Sequence, residues 1–242
     1  MEKHFFLLGK SLKHSFSKDY FNNKFKKENL SYSYSNIEIN AIDEFKSIDL
    51  QKYNGFNVTI PYKEQIIPFL NDLSAEAKEI GAVNTVKISN GKLTGYNTDA
   101  YGFHFSLKPF LKNIHERALI LGTGGASKAV AYVFEKLGIN VLFVSRKPTT
   151  ENQIGYNDVN EYVMKFHTII VNTTPVGMYP NNDDLINLPY ECLTPEHIVY
   201  DLIYNPEETL FLQMAKKNGA TAINGLQMLR LQAEKAWQIW NE

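Results

Sequence analysis

The chain has 242 residues, 44% of them hydrophobic and 21% charged, enough apolar mass for one large domain or two modest ones with separate cores. A formal net charge of -1, without a long basic block, excludes binding to nucleic acid or an anionic membrane driven by bulk charge, and the composition fits no disordered or fibrous class. The lone Cys192 excludes an intrachain disulfide framework and suits a reducing compartment, and the six histidines make no close pair at metal-ligand spacing, so no metal is expected.

In chain order, Phe5-Phe6-Leu7-Leu8 is too short for a signal-peptide core or a membrane span, so residues 4–8 read as a buried strand and the expected location is the cytoplasm. A helix follows over 17–29, with Lys24-Phe25-Lys26-Lys27 as a solvated face. Strands are expected over 31–39 and 56–59. Next comes a helix over 61–70 that opens on Pro61, a residue suited to the first helical position. Ser74 caps a helix over 75–80, and strands over 82–88 and 92–96 flank a turn at Asn90-Gly91. This is an α/β unit with a mixed sheet.

After Asp99 a linking helix runs to about residue 110. Short continuous apolar runs follow at 118–121, 141–144, 168–171 and 198–202, separated by helical segments. Strands covered on both faces need such runs, so this half reads as a doubly wound parallel sheet. From Gly225 the period becomes that of a long amphipathic helix, with Leu226, Leu229, Ala233, Trp237 and Trp240 on one stripe. The domain reading is 1–98 with 225–242 as one domain and 99–224 as the other.

Two stretches carry chemistry: Gly55-Phe56-Asn57-Val58-Thr59-Ile60-Pro61-Tyr62-Lys63 and Gly95-Tyr96-Asn97-Thr98-Asp99. Each puts one ionisable side chain beside polar groups at a strand end, where sites form. Downstream, a strand runs into Gly122-Thr123-Gly124-Gly125-Ala126 and a helical face of Val130, Val133 and Leu137. Glycines there let a pyrophosphate approach the backbone and the first helical amides; the plainer alternative is an ordinary strand-to-helix turn. Ser127 takes the third fingerprint position, often a glycine.

Beyond the next strand stands Arg146, followed by Lys147, where an NAD-specific protein usually carries an acid for the ribose hydroxyls. A guanidinium suits a 2′-phosphate, so NADP is favoured over NAD, unless the two cations are merely solvated.

Five further stretches make the order distinctive: His14-Ser15-Phe16-Ser17, Gly81-Ala82-Val83-Asn84-Thr85, Asn172-Thr173-Thr174-Pro175-Val176-Gly177-Met178, Asp201-Leu202-Ile203-Tyr204-Asn205-Pro206, and Gly225-Leu226-Gln227-Met228-Leu229 followed by Gln232. Taken together the chain resembles the shikimate dehydrogenase family along most of its length. It departs from the family's usual prolines at Ser11 and Lys18, and from a threonine at Lys147.

The resemblance implies a substrate domain, a Rossmann-like NADP domain, and a last helix that docks on the first domain. It implies interconversion of shikimate and 3-dehydroshikimate, with Lys63 and Asp99 catalytic. Lysine is ordinarily an ammonium at neutral pH, so Lys63 is read as the proton donor to the developing alkoxide and Asp99 as the carboxylate that orients it. Ser15 and Ser17, two apart in an extended segment, point the same way and can share one carboxylate. The alternative is that Ser17 caps a helix and Ser15 is solvated.

Thr59, Asn84 and Gln232 correspond to contacts with ring hydroxyls, and Tyr204 to a further donor; the first three also have ordinary uses in strand, turn and helix. On the cofactor side the family implies Gly122, Gly124, Gly125, Ala126, Arg146, Thr173, Met178, Ile203, Gly225 and Met228, with packing as the alternative for the two methionines. A quinate/shikimate dehydrogenase that accepts NAD and a non-catalytic NADP-responsive regulator are the competing functions. The expected assembly is a monomer or homodimer.

Overall fold

The computed structural model describes residues 2–13 and 15–242, so His14 of the first serine motif lies outside the described residues. The chain divides into two compact units, Met1–Thr98 with Gln232–Glu242, and Asp99–Leu231.

The first unit runs β1 (Lys3–Gly9), α1 (Phe16–Lys27), β2 (Tyr32–Glu38), β3 (Gly55–Val58), β4 (Asp72–Leu73), α2 (Ala75–Ile80), β5 (Thr85–Ser89) and β6 (Lys92–Tyr96). Its sheet has the order β2-β1-β3-β5-β6-β4. The pairs β1/β2, β1/β3 and β4/β6 are parallel, and β3/β5 and β5/β6 antiparallel, which makes the sheet mixed.

Alternation along β1 explains the two cores of this unit. Phe6 and Leu8 face Phe56, Val58, Tyr62 and Ile66, while Phe5 and Leu7 face Phe21 and Phe25 of α1. Ala233, Ala236 and Trp240 complete the second cluster. Trp240 donates its indole N–H to the Val86 carbonyl at 3.0 Å, and a Cβ on Gly55 would sit 2.4 Å from that nitrogen, so only glycine admits the indole there. Fully burying an aromatic side chain of this kind contributes about 1.5 to 3 kcal/mol.

The second unit opens with α3 (Thr98–Leu107), whose first residue closes the first unit. It continues through β7 (Arg117–Leu121), α4 (Gly125–Lys136), β8 (Asn140–Val144), β9 (Gln153–Ile154), α5 (Glu161–Phe166), β10 (Ile169–Asn172), β11 (Ile198–Asp201), α6 (Leu210–Lys217), β12 (Thr221–Ile223) and α7 (Leu226–Asn241). The last part of α7 belongs to the first unit. The sheet, β12-β11-β10-β7-β8-β9, is parallel throughout, as the unbroken apolar runs require. Order reverses between β7 and β10, the position where open α/β sheets bind ligands.

Four expectations need correction. Of the run Lys24-Phe25-Lys26-Lys27 only Lys26 and Lys27 are exposed; Phe25 is buried and Lys24 pairs with Glu28 and Glu234. Residues 61–70 form turns and a short 3-10 segment, Ile67–Phe69, rather than an α-helix. The Lys63 carbonyl is taken by the Val83 N–H at 2.8 Å, and Pro68 has no N–H to donate, so the helical ladder cannot propagate. The strand expected from 82 begins at Thr85 because Val83 and Asn84 direct their N–H groups to Lys63 and Tyr96. Leu137 is exposed at the C-cap of α4, where Ala129, Val130, Val133 and Phe134 form the buried face instead.

Candidate active site

Strand direction gathers the polar groups of the first unit. The carboxyl ends of β1 and β3 and the start of β5 meet at one edge: Thr59 N–H bonds the Leu8 carbonyl and Val58 N–H the Asn84 carbonyl, each at 2.9 Å. Lys63 is anchored beside them through Val83, and α1 starts from the same edge after β1. A depression of about 440 Å³ lined by His4, Ser33, Ser35, Lys52 and Tyr53 holds none of these groups.

Ser15 is the N-cap of α1, accepting from the Lys18 N–H at 3.4 Å, and Ser17 lies within the first helical turn. The extended geometry expected for the pair is therefore replaced by a cap and a helical residue, with Ser15 rather than Ser17 doing the capping. The preceding loop lacks the family's proline at Ser11 but is fastened by β2: Glu38 accepts the Leu12 N–H at 2.5 Å, and Asn36 donates to the Leu12 carbonyl at 3.1 Å.

Behind this edge runs a buried polar chain. Asn84 Oδ1 accepts the Thr98 backbone N–H at 2.7 Å; because that group can only donate, the amide orientation is fixed. Asn84 Nδ2 consequently faces Thr98 Oγ1 at 3.0 Å and Gln232 Oε1 at 3.5 Å. Asn57 Nδ2 donates to the Asn84 carbonyl at 3.1 Å and to Thr85 Oγ1 at 2.9 Å, and its Oδ1 accepts from the Tyr34 hydroxyl at 2.7 Å. Burial raises the Tyr34 phenol well above its ordinary range, opposed by a hydrogen bond with Ser17.

Replacing Asn57 by alanine would take one buried hydrogen bond each from the Tyr34 hydroxyl, the Thr85 hydroxyl and the Asn84 carbonyl, leaving them Ser17, the Asn84 and Thr98 side chains, and the Val58 N–H respectively. Chemical denaturation is expected to show a loss of about 3 kcal/mol, and a loss below about 1 kcal/mol would mean that these groups find other partners.

In the second unit, Asp99 sits buried in the first turn of α3. Gly122 follows β7 with φ +99, a conformation that favours glycine, and its N–H bonds the Val144 carbonyl at 2.9 Å. Gly124 is the N-cap of α4, and a Cβ there would meet nothing within 4 Å, which leaves open space before the helix amides. Gly125 and Ala126 are its first residues, and Ser127 is buried with its hydroxyl donating to the Gly124 carbonyl at 2.6 Å. Arg146 is exposed just past the carboxyl end of β8, next to β7. Amide donors, clear space and a nearby guanidinium fit the phosphates of a dinucleotide.

Thr173 ties the end of β10 to β7, donating both N–H and Oγ1–H to the Leu121 carbonyl at 3.0 and 2.7 Å. Ile203, Gly225 and Met228 are buried, Tyr204 is half-buried with its phenol pushed up by that burial, and Met178 is 42% exposed on its loop, so packing does not account for it. Gly225 donates its N–H to the Ile203 carbonyl at 3.0 Å. Among the described residues no group of three or more His, Cys, Asp or Glu could hold a metal ion, and no helix is long and apolar enough to cross a membrane.

Asn57, Thr85, Thr98, Asn172 and Asp201 stand inside the sequence motifs, where residue type alone assigns them no role. The available signal was a polar residue at the end of an apolar strand. Tyr34 had no signal, since nothing local marks which strand tyrosine meets a distant asparagine.

The family model for the shikimate dehydrogenase substrate binding domain matches residues 7–86. A shikimate dehydrogenase (NADP(+)) of Carboxydothermus hydrogenoformans is 37% identical over 254 residues, covering 97% of this chain and 90% of that protein. The shikimate 5-dehydrogenase of Thermus thermophilus, solved with NADP(H) and shikimate, superposes with TM-score 0.86 at 32% identity, covering 98% of this chain and 93% of that one. Quinate dehydrogenase from Corynebacterium glutamicum, solved with NAD, gives TM-score 0.87 at 26% identity, covering 99% and 94%. With this extent of identity added to a mixed-sheet unit and a parallel-sheet unit, the chain belongs to the shikimate dehydrogenase family.

Proposed function

We propose that this chain is an NADP-dependent oxidoreductase that interconverts shikimate and 3-dehydroshikimate, a step toward chorismate and the aromatic amino acids. The observation that carries the reading is near-full-length identity to NADP-dependent shikimate dehydrogenases, joined to one sheet edge where Thr59, Lys63, Asn84 and Gln232 are set with their supports. Ser15 and Ser17, with Tyr204, hold the substrate carboxylate. Thr59, Asn84 and Gln232 hold ring hydroxyls, for which neutral amides and hydroxyls are suited.

Lys63 donates a proton to the oxygen that becomes an alkoxide on reduction and takes it back on oxidation. Asp99 accepts from a ring hydroxyl and keeps the ammonium directed at the reacting oxygen. When bound, the nicotinamide supplies or accepts the hydride; the protein's share is alignment and charge. Gly122, Gly124, Gly125, Ala126 and Thr173 hold the phosphate side, and Ile203, Gly225, Met228 and Met178 the nicotinamide side. The cytoplasm suits an enzyme of this kind with a single cysteine.

Purified protein is expected to reduce NADP+ with shikimate, followed by the absorbance of the reduced nicotinamide, and absence of turnover would sink the reading. Arg146→Ala is expected to raise KM for NADP+ by about 10- to 100-fold, the worth of a charge-assisted bond, while KM for NAD+ stays nearly constant. An equal effect on both cofactors would remove Arg146 from the 2′-phosphate. Likeness to the NAD-bound quinate dehydrogenase supports a second reading, a quinate/shikimate dehydrogenase that accepts NAD. Specificity constants for both acids with both cofactors separate the two.

A further inference from the structure

We infer that Asp201 is a positioning residue whose carboxylate holds the two loops at the ligand-facing rim of the second unit, after β10 and after β11, in one register. The inference rests on the cofactor reading above, which places Thr173 and Ile203 at the NADP site.

Asp201 ends β11, is wholly buried, and pairs in register with Asn172 at the end of β10. Its Oδ1 accepts from Asn172 Nδ2 at 2.9 Å and from the Ile203 N–H at 3.0 Å; its Oδ2 accepts from Thr209 Oγ1 at 2.6 Å. Asn172 passes the constraint on, because its Oδ1 accepts both N–H and Oγ1–H of Thr174 at 2.9 and 2.7 Å. Thr174 and Thr173 in turn pack against Gly122, where a Cβ would lie 2.8 Å from Thr174 Cγ2 and 3.0 Å from Thr173 Oγ1. One carboxylate thus terminates a line of contacts that crosses three neighbouring strand ends and stops at the glycine turn.

The donor inventory explains why a carboxylate stands here. The Ile203 N–H and the Asn172 amide can only donate, and Thr209 Oγ1 also accepts from the Leu212 N–H at 3.4 Å as the N-cap of α6, so its own proton goes to Asp201. An asparagine can satisfy the first two only by turning its NH2 toward Thr209, which strands that hydroxyl proton. Burial pushes the Asp201 carboxyl up to about 6, against the bonds from Thr209, Ile203 and Asn172, and among the described residues the titratable group coupled to it is Tyr190, whose phenol donates to the Ile186 carbonyl.

The test uses Asp201→Asn and isothermal titration of NADP+ into the intact protein. Relaxing one anchoring bond is expected to raise Kd for NADP+ by about three- to tenfold at about pH 7.5. Between about pH 7.5 and about pH 5, Kd of the wild type is expected to rise by a larger factor than Kd of the variant, since the 2′-phosphate titrates in both proteins but the carboxylate in one. KM for shikimate is expected to move less than KM for NADP+.

Equal Kd values, or identical pH profiles, in a variant that still oxidises shikimate would reduce Asp201 to a cap for α6 and overturn the inference with the functional reading intact. Wild-type protein that fails to bind NADP+ would instead remove the cofactor reading and this inference with it. Should Asp201→Asn not fold, Thr174→Val removes the hydroxyl at the other end of the line and leaves its backbone N–H. It must raise Kd in the same direction, and an unchanged Kd there also overturns the inference.

Discussion

Lys63→Ala is expected to lower kcat for shikimate oxidation by about 10²- to 10⁴-fold, the usual worth of a positioned proton donor, with KM for shikimate changing far less. The substitution isolates the ammonium because the backbone there is held independently of it. The Lys63 carbonyl accepts the Val83 N–H, the neighbouring Tyr62 is buried with its hydroxyl donating to the Ile39 carbonyl at 2.6 Å, and Ile66 is fully buried one turn on. Truncation therefore removes charge and proton while the loop keeps its path. Lys63→Arg sharpens the result: it restores a positive charge but holds its proton too tightly to transfer it, so a variant that recovers KM without kcat assigns the proton step to Lys63. Turnover at the wild-type rate in Lys63→Ala would reject the role.

The same loop shows what was legible in the sequence. Apolar runs report burial directly, so 4–8 and the strands near 118, 141, 168 and 198 are readable, as is the change to a helical period near 225. Residues 61–70 carry a helix-like opening with proline at the front, yet what decides their path is a bond from Val83, far along the chain, together with Pro68. Local periodicity contains no trace of the first of these. Site residues follow the same division.

Glycines and ionisable groups beside turns are visible because their residue types are restrictive. The amide orientation of Asn84, set by the Thr98 N–H, and the link from Tyr34 through Asn57 depend on which strands become neighbours. Ser15 and Ser17 fall between: their residue types are informative, but a spacing of two puts both hydroxyls on one side only in an extended segment, and α1 already begins at Phe16.

Gly225→Ala is expected to cost about 3 kcal/mol of stability and to weaken NADP+ binding about tenfold, measured by denaturation and by titration. The backbone angles of Gly225 lie outside the left-handed region, so the effect is steric. A Cβ would stand 2.0 Å from the Leu202 carbonyl oxygen and 2.6 Å from its carbon, backbone atoms that cannot rotate away. Leu202 is itself tied to the Asn172 carbonyl at 3.0 Å and Ile203 to Asp201, so relief must come from lifting the start of α7 or pushing on the rim that carries Ile203.

Gly124→Ala supplies the contrast. Its Cβ would enter open space, so stability should change by less than about 0.5 kcal/mol, yet that space is where a phosphate must approach the first amides of α4. NADP+ binding is therefore expected to fall by about tenfold or more in Gly124→Ala with the fold unaffected, whereas in Gly225→Ala the two losses travel together. If Gly124→Ala binds NADP+ as the wild type does, the glycine turn is a simple chain reversal and the phosphates lie elsewhere.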